Sequence, residues 1–324
     1  MADDCGVLDL PTSERKDAEI VYFTLDHIET YFPDEPVSTG ALFSELGSRM
    51  SSDLVASIED MNISQRYSAV EDLPRYFSGK TKRRLRETTS SLAANAVRRC
   101  LEQSGADVSK IAALITVTNT PDQMLPGVAY LVMEKLQDVL PRSISVQGLQ
   151  AAGCSGAVKA LELAGLYLAA HPNKQVLVVA AEAHTGYMRS LDQGAYVSFR
   201  ELRDRPDCRE ELVKTQRAIQ SFLFGDGATA FLLGGEGRTG LTFGRMVHAT
   251  NLEPSDVAIL GTAQHGMIHP DTSGFPEYLM DRSVPARGMA YTADMLARLF
   301  GRAGPDFDAG AVGQLDSILI HTGS

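Results

Sequence analysis

An α/β fold is predicted for this chain from three observations. Two continuous apolar runs, Ile111 to Val117 and Gln175 to Ala181, read as strands buried on both faces. Helical patterns alternate with such strands along the sequence, which is the ordering of an α/β protein. The succession helix, glycine turn, apolar strand, small polar residues occurs twice, over residues 90 to 119 and 290 to 323. A duplicated unit is the simplest explanation of that echo.

Residues 1 to 17 are polar and read as a flexible, frayed tail. Ile20 to Thr24 reads as a strand, and Phe32-Pro33 with Pro36 breaks the chain after it. Residues 39 to 60 carry a helical pattern. Thr88 to Gln103 is a stronger helix, because Leu85, Thr89, Leu92, Ala96, Cys100 and Leu101 recur near helical spacing, and Gly105-Ala106-Asp107 closes it. After the strand from Ile111, Gly127 to Leu136 reads as helix, Ile144 to Val146 as a short strand and Ser155 to Ala170 as a helix rich in small residues. Thr185 to Gln220 breaks the alternation with Arg189, Arg200, Arg203, Arg205, Arg209 and several carboxylates. It is expected to be a solvated surface excursion, with a lid or partner-docking insertion as the sharper alternative. Phe224-Gly225-Asp226-Gly227-Ala228 lacks the Lys-Ser/Thr ending of a nucleotide loop and reads as a tight structural turn before a strand from Ala230 to Leu233. In the second copy a helix spans Tyr291 to Phe300, then come Gly304-Pro305-Asp306 and the strand Ile318-Leu319-Ile320-His321. The first copy runs on to Ala183, whereas the second stops at Ser324 just after its matching strand, so the C-terminal half reads as incomplete. The expected organisation is a tail (1–17), an N-terminal half (18–184), an insertion or lid (185–220) and a C-terminal half (221–324).

Composition narrows the function classes. Acidic residues number 41 against 30 basic, a net charge of −11 over 324 residues, which disfavours nonspecific nucleic-acid binding. No run of about 18 apolar residues is present, so no membrane span is expected. The start, Met1-Ala2-Asp3-Asp4, is followed by no apolar run of signal-peptide type. Cys5, Cys100, Cys154 and Cys208 are scattered without metal-ligand spacing; neither zinc nor a disulfide framework is expected, and a reducing cytoplasm is the default. There is no tryptophan to stack on a nucleotide base. Lys80, Lys82, Arg83, Arg84 and Arg86 form the dense basic run. It reads as a solvated face, the alternative being attraction of an acidic carrier protein or a coenzyme A phosphate.

Two residues stand out chemically. Cys154 lies in Ala151-Ala152-Gly153-Cys154-Ser155-Gly156, between a strand-like stretch and a helix. Unpaired amides and the dipole at a helix N-terminus favour a thiolate, and a thiolate is a good nucleophile towards thioesters. The competing reading is a buried structural cysteine. His321 ends an apolar strand, where α/β folds place their ligand crevice; there it could polarise a carbonyl or transfer a proton, or be no more than a surface histidine. His184, just after the strand from Gln175, is the reserve. His265 and His269 are set among Gly266 and Pro270, which speaks against a helical metal pair.

Together these segments resemble the thiolase superfamily, in particular its ketoacyl synthase III and chalcone synthase (type III polyketide synthase) branches. The matching parts, in the family's order, are Thr118-Asn119-Thr120-Pro121-Asp122 with Leu125-Pro126-Gly127, Gly153-Cys154-Ser155-Gly156, Val176-Leu177-Val178-Val179-Ala180-Ala181-Glu182, Leu223-Phe224-Gly225-Asp226-Gly227-Ala228 and Ile318-Leu319-Ile320-His321. The resemblance implies a duplicated five-layer α-β-α-β-α fold and a homodimer. It implies that Cys154 is the acyl-accepting nucleophile and His321 the catalytic histidine. It further implies that Leu125, with Met124 beside it, reaches across the dimer towards the partner's acyl pocket, and that Phe224 contacts substrate. The family asparagine downstream of the histidine motif has no counterpart here. The residues some relatives use for coenzyme A phosphates are sparse before Met61, where Arg49 alone is near.

The expected function is therefore acyl-thioester condensation. An acyl group from coenzyme A or an acyl carrier protein would load on Cys154 and be extended by decarboxylation of a malonyl-type thioester. No bound cofactor, metal, nucleic acid or membrane is expected. The absent asparagine motivates a first alternative, an acyltransferase that passes the acyl group to a hydroxyl, amine or thiol without decarboxylation. The second is a fragment or non-catalytic partner subunit.

Overall fold

The computed structural model describes residues 23–33, 35–203, 205, 207–235, 241–244, 246–248, 260–263, 277–280 and 283–299. The strands are β1 (Phe23–Tyr31), β2 (Pro36–Ser38), β3 (Gln65–Tyr67), β4 (Ile111–Thr118), β5 (Ser145–Gln150), β6 (Gln175–Ala183), β7 (Asp226–Gly235), β8 (Leu241–Phe243), β9 (Leu260–Ala263) and β10 (Glu277–Met280). The α-helices are α1 (Thr39–Leu46), α2 (Ser52–Glu59), α3 (Leu73–Phe77), α4 (Thr89–Ser104), α5 (Val128–Lys135), α6 (Gly156–Ala170), α7 (His184–Tyr187), α8 (Phe199–Leu202), α9 (Arg209–Leu223) and α10 (Val284–Leu299).

Among the described residues the main sheet has the order β5-β4-β6-β7-β1-β8. β4 runs parallel to β5 and β6, and β7 is antiparallel to both β6 and β1. Side chains alternate across the sheet, so each central strand feeds two cores. Leu114, Leu177, Val179 and Leu232 pack under α4 and α5 with Leu92, Ala96, Val97 and Val132. Ala113, Ile115, Val117, Val176 and Val178 pack on the other face, against Ala160, Ala164 and Leu168 of α6. The continuous apolar runs of β4 and β6 are thus explained by burial on both faces.

Local signals set the helix ends. Thr88 caps α4 in a reciprocal box with Ser91, and Gly105 ends it in a left-handed conformation at φ 61°. In α6, Gly165 lets the Phe23 ring approach so closely that an added Cβ would lie 2.6 Å from it. The small residues of α6 are therefore what brings the helix down onto the sheet.

Several expectations are corrected. The strand predicted at Ile20–Thr24 does not end at Thr24 but continues to Tyr31 as β1; Ile20 to Tyr22, like all of residues 1–22, lie outside the described residues. The stretch 185–220 is no solvated excursion. Met188, Leu191, Tyr196 and Ala218 of the stretch are buried, together with Phe222 just beyond it and Leu42, Leu46, Leu54 and Phe77, in a third core that joins α1, α2, α3 and α9. Its arginines include Arg217, buried and paired with Asp192 at 2.8 Å. The boundaries at 184 and 220 do not divide the fold: α9 crosses the second, and β7 from beyond it sits inside the first sheet. The tight turn expected over Phe224 to Ala228 is strand from its third residue on: Phe224 and Gly225 precede β7, and Asp226 and Gly227 begin it. In the second copy the helix expected at Tyr291–Phe300 is seen as the last part of α10; Ile318 to His321 lie outside the described residues.

Candidate active site

β5 ends at Gln150, and the chain passes through Ala151 and Ala152 into a single 3-10 turn, Gly153–Ser155, that feeds α6. Cys154 is in that turn and is exposed. This is the strand-to-helix placement predicted for it, and it contradicts the buried structural alternative. Two residues of the connection are left-handed, Ala151 at φ 56° and Gly153 at φ 63°. No atom lies within 4 Å of where a Gly153 Cβ would be, so glycine is required there by the backbone and not by crowding. Cys100, by contrast, is buried on the inner face of α4, and burial pushes its thiol up to about 12.

The Cys154 turn is tied to the ends of β4 and β6. The Ala151 amide donates to the Thr118 carbonyl at 3.0 Å, and the Gly153 amide donates to Asn119 Oδ1 at 2.9 Å. Asn119 in turn donates to Glu182 Oε1 from Nδ2 at 2.8 Å and from its backbone at 2.9 Å. The second oxygen, Oε2, accepts from the hydroxyls of Thr120 at 2.7 Å and Thr118 at 3.3 Å. Parallel pairing of β4 with β6 places these groups side by side.

His184 follows at the start of α7, with Nε2 3.8 Å from Glu182 Oε2. Burial lowers its pKa below the ordinary histidine value, and the Glu182 charge opposes that shift in part. Phe224 stacks on the His184 ring. A continuous chain of contacts thus runs from the Cys154 turn through Asn119, Glu182 and His184 to Phe224. Below it, Asp226 is buried and accepts from the Ala69 amide at 2.6 Å, the Thr185 amide at 2.9 Å and the Thr185 hydroxyl. Burial raises its pKa to about 6 against the pull of those hydrogen bonds.

Met124 and Leu125 lie on the loop between β4 and α5, 82% and 87% exposed. Asp122 anchors this loop to the N-terminus of α4 by accepting from the Ser90 amide at 3.1 Å and from its hydroxyl. Neither Met124 nor Leu125 joins the Cys154 network. His321 lies outside the described residues. Sequence reasoning gave no role to Asn119, Glu182 or Asp226. The available signal was a carboxylate placed directly after a buried apolar strand, at Glu182. Among the described residues no group of three or more His, Cys, Asp or Glu side chains is placed to hold a metal ion. No helix among them is long and apolar enough to cross a membrane.

No protein-family model matches the chain. It is similar to the beta-ketoacyl-[acyl-carrier-protein] synthase III of Bordetella petrii, 27% identical over 270 residues, which are 83% of this chain and 68% of that protein. The corresponding synthase of Roseobacter denitrificans is 31% identical over 166 residues, 51% of this chain and 42% of the relative. Among solved structures, the germicidin synthase of Streptomyces coelicolor, a type III polyketide synthase, superposes with a TM-score of 0.64 at 17% identity, over 89% of this chain and 77% of that one. The α/β fold is thus the thiolase-like one of ketoacyl synthase III and type III polyketide synthases, and the resemblance read from the motifs is borne out. The relatives are of the acyltransferase type expected from the sequence.

Proposed function

We propose that this chain is an acyl-thioester condensing enzyme of the ketoacyl synthase III kind. The observation that carries the reading is the exposed Cys154 thiol on a strand-to-helix turn whose backbone is pinned to two neighbouring strand ends. The thiolate attacks the donor carbonyl, a new carbon–sulfur bond forms, and coenzyme A or the carrier protein leaves as its thiol. A malonyl-type thioester then loses carbon dioxide. Its carbanion attacks the acyl carbon, and the Cys154 thiolate departs. His321 serves as the catalytic histidine of the second stage, and Phe224 contacts substrate. The protein works as a cytoplasmic homodimer with Met124 and Leu125 turned towards the partner, which accords with two large apolar side chains exposed on an anchored loop.

Intact-mass spectrometry after incubation with acyl-coenzyme A and acyl-carrier thioesters tests the first stage. A single acyl adduct, absent in Cys154→Ala, is expected; no adduct with any donor would sink the proposal. His321→Ala should spare loading more than condensation. Malonyl thioester labelled in its free carboxyl tests the second stage. Release of labelled carbon dioxide supports condensation, while acyl transfer to a hydroxyl, amine or thiol without that release would favour the simple acyltransferase.

A further inference from the structure

We propose that Glu182 is a positioning residue for Cys154, acting through the Asn119 side chain on the Gly153 amide; this rests on Cys154 being the acyl acceptor. The turn that presents the thiol is not self-supporting. Its two left-handed residues, Ala151 and Gly153, are conformations an unrestrained chain leaves readily. The Gly153 amide, directly before Cys154, finds its acceptor outside the turn, on Asn119 Oδ1. Whatever fixes the Asn119 amide therefore fixes the backbone next to the nucleophile.

An asparagine amide has an accepting and a donating end, and the two differ only by a flip. Glu182 decides which way it points. Its carboxylate accepts only, and Oε1 faces Asn119 Nδ2 at 2.8 Å. The flipped amide would set Asn119 Oδ1 against the carboxylate and its NH2 against the Gly153 N–H, two repulsive contacts in place of two attractive ones. The carboxylate is itself held, by the Asn119 backbone amide on the same oxygen and by the Thr120 and Thr118 hydroxyls on the other. Charge-assisted hydrogen bonds of this kind are the stronger class. The residue is the penultimate one of β6, beside the parallel end of β4, so its backbone is held by the sheet. Glu182 touches neither Cys154 nor a reacting group, so its action is orientation alone.

The test uses the full chain and three readouts: deuterium exchange of peptides containing Gly153, the single-turnover rate of Cys154 acylation over a range of acyl-thioester concentrations, and alkylation of Cys154 by iodoacetamide. Asn119→Ala and Glu182→Ala should each raise exchange at residues 151–155 by about tenfold and lower the maximal acylation rate by about tenfold. The half-saturating donor concentration and the iodoacetamide rate should stay within about threefold, because alkylation tolerates loose geometry. The double variant should be no worse than either single one, since both break the same connection. Glu182→Gln, whose carbonyl can still accept from Asn119 Nδ2, should recover most of the acylation rate. Asn119→Asp, which places an oxygen against Glu182, should not. A folded Glu182→Ala protein with unchanged exchange and acylation would overturn the proposal, as would additive losses in the double variant. If Glu182→Ala does not fold, the Glu182→Gln and Asn119→Asp pair decides: equal behaviour of the two overturns the proposal. If the wild-type protein takes no acyl group, the reading of Cys154 fails, and the exchange measurement still judges the connection from Glu182 to Gly153.

Discussion

The His184 imidazole lies face to face with the Phe224 ring, 4.3 Å between centroids and 15° between planes. The stack shields one side of the imidazole, and burial is the leading cause of its lowered pKa. Phe224→Ala should admit water, raise the His184 pKa towards the ordinary histidine value and destabilise the protein by about 2 kcal/mol. Nuclear magnetic resonance titration of the His184 ring protons checks the shift, and urea unfolding checks the stability. A His184 pKa that falls further in the variant would contradict this account.

Asp226 gives stability a pH dependence of a definite sign. Its folded pKa is raised to about 6 from an ordinary 3.8. Between those values the folded protein binds more protons than the unfolded chain. The contribution of Asp226 is therefore complete below about pH 4 and is lost as pH rises to about 6, by an amount on the order of 3 kcal/mol. Asp226→Asn should remove that slope and cost about 1–3 kcal/mol at low pH, because three donors converge on this side chain and an amide can accept on one atom only. Urea midpoints of both proteins across pH 4 to 7 would show the two curves converging as pH rises.

Gly165→Ala separates crowding from helix propensity. In an open helix the change would stabilise by about 1 kcal/mol. Here the new Cβ meets the Phe23 ring at 2.6 Å and 2.7 Å, and overpacking of this kind costs about 1–3 kcal/mol. A lowered melting temperature is expected. Gly105→Ala is the matched control: no atom is within 4 Å, and φ is 61°. Its cost of about 1 kcal/mol should come from the backbone alone.

If the protein forms the proposed homodimer, the exposed pair Met124 and Leu125 should matter to its assembly and not to the monomer fold. Replacing both with glutamate should shift sedimentation from dimer to monomer while leaving the melting temperature of a dilute sample within about 2 °C, since both side chains are largely exposed in the isolated chain. Unchanged sedimentation would remove this loop from the interface.

The sequence made some of this fold easy to read and some of it opaque. β4 and β6 were legible because strands buried on both faces are written as uninterrupted apolar runs, and α4 because its inward residues keep helical spacing up to Gly105. β1 was not: Asp26, His27 and Glu29 interrupt its pattern, yet its pairing with β7 overrides local preference. α9 looked like a solvated face because its outer side is charged, while its buried side carries Ala218 and Phe222 together with Thr215, Gln220 and Ser221. Cys154 was found because its glycine-rich surroundings mark a sharp turn before a helix. Asn119 and Glu182, 63 positions apart, were invisible as a pair. Only the register of β4 against β6 brings them together.

The place of β7 in the sheet has a consequence for how the protein is made. β1 leaves the ribosome well before its partners in the main sheet, β7 and β8, which begin only at Asp226 and Leu241. About 200 residues must be synthesised before Phe23 can meet Gly235. Until then β1 and one edge of β6 remain open to any other nascent strand. The order of translation and the order of assembly run against each other, and chains released before residue 235 should collect as aggregates and not as folded halves.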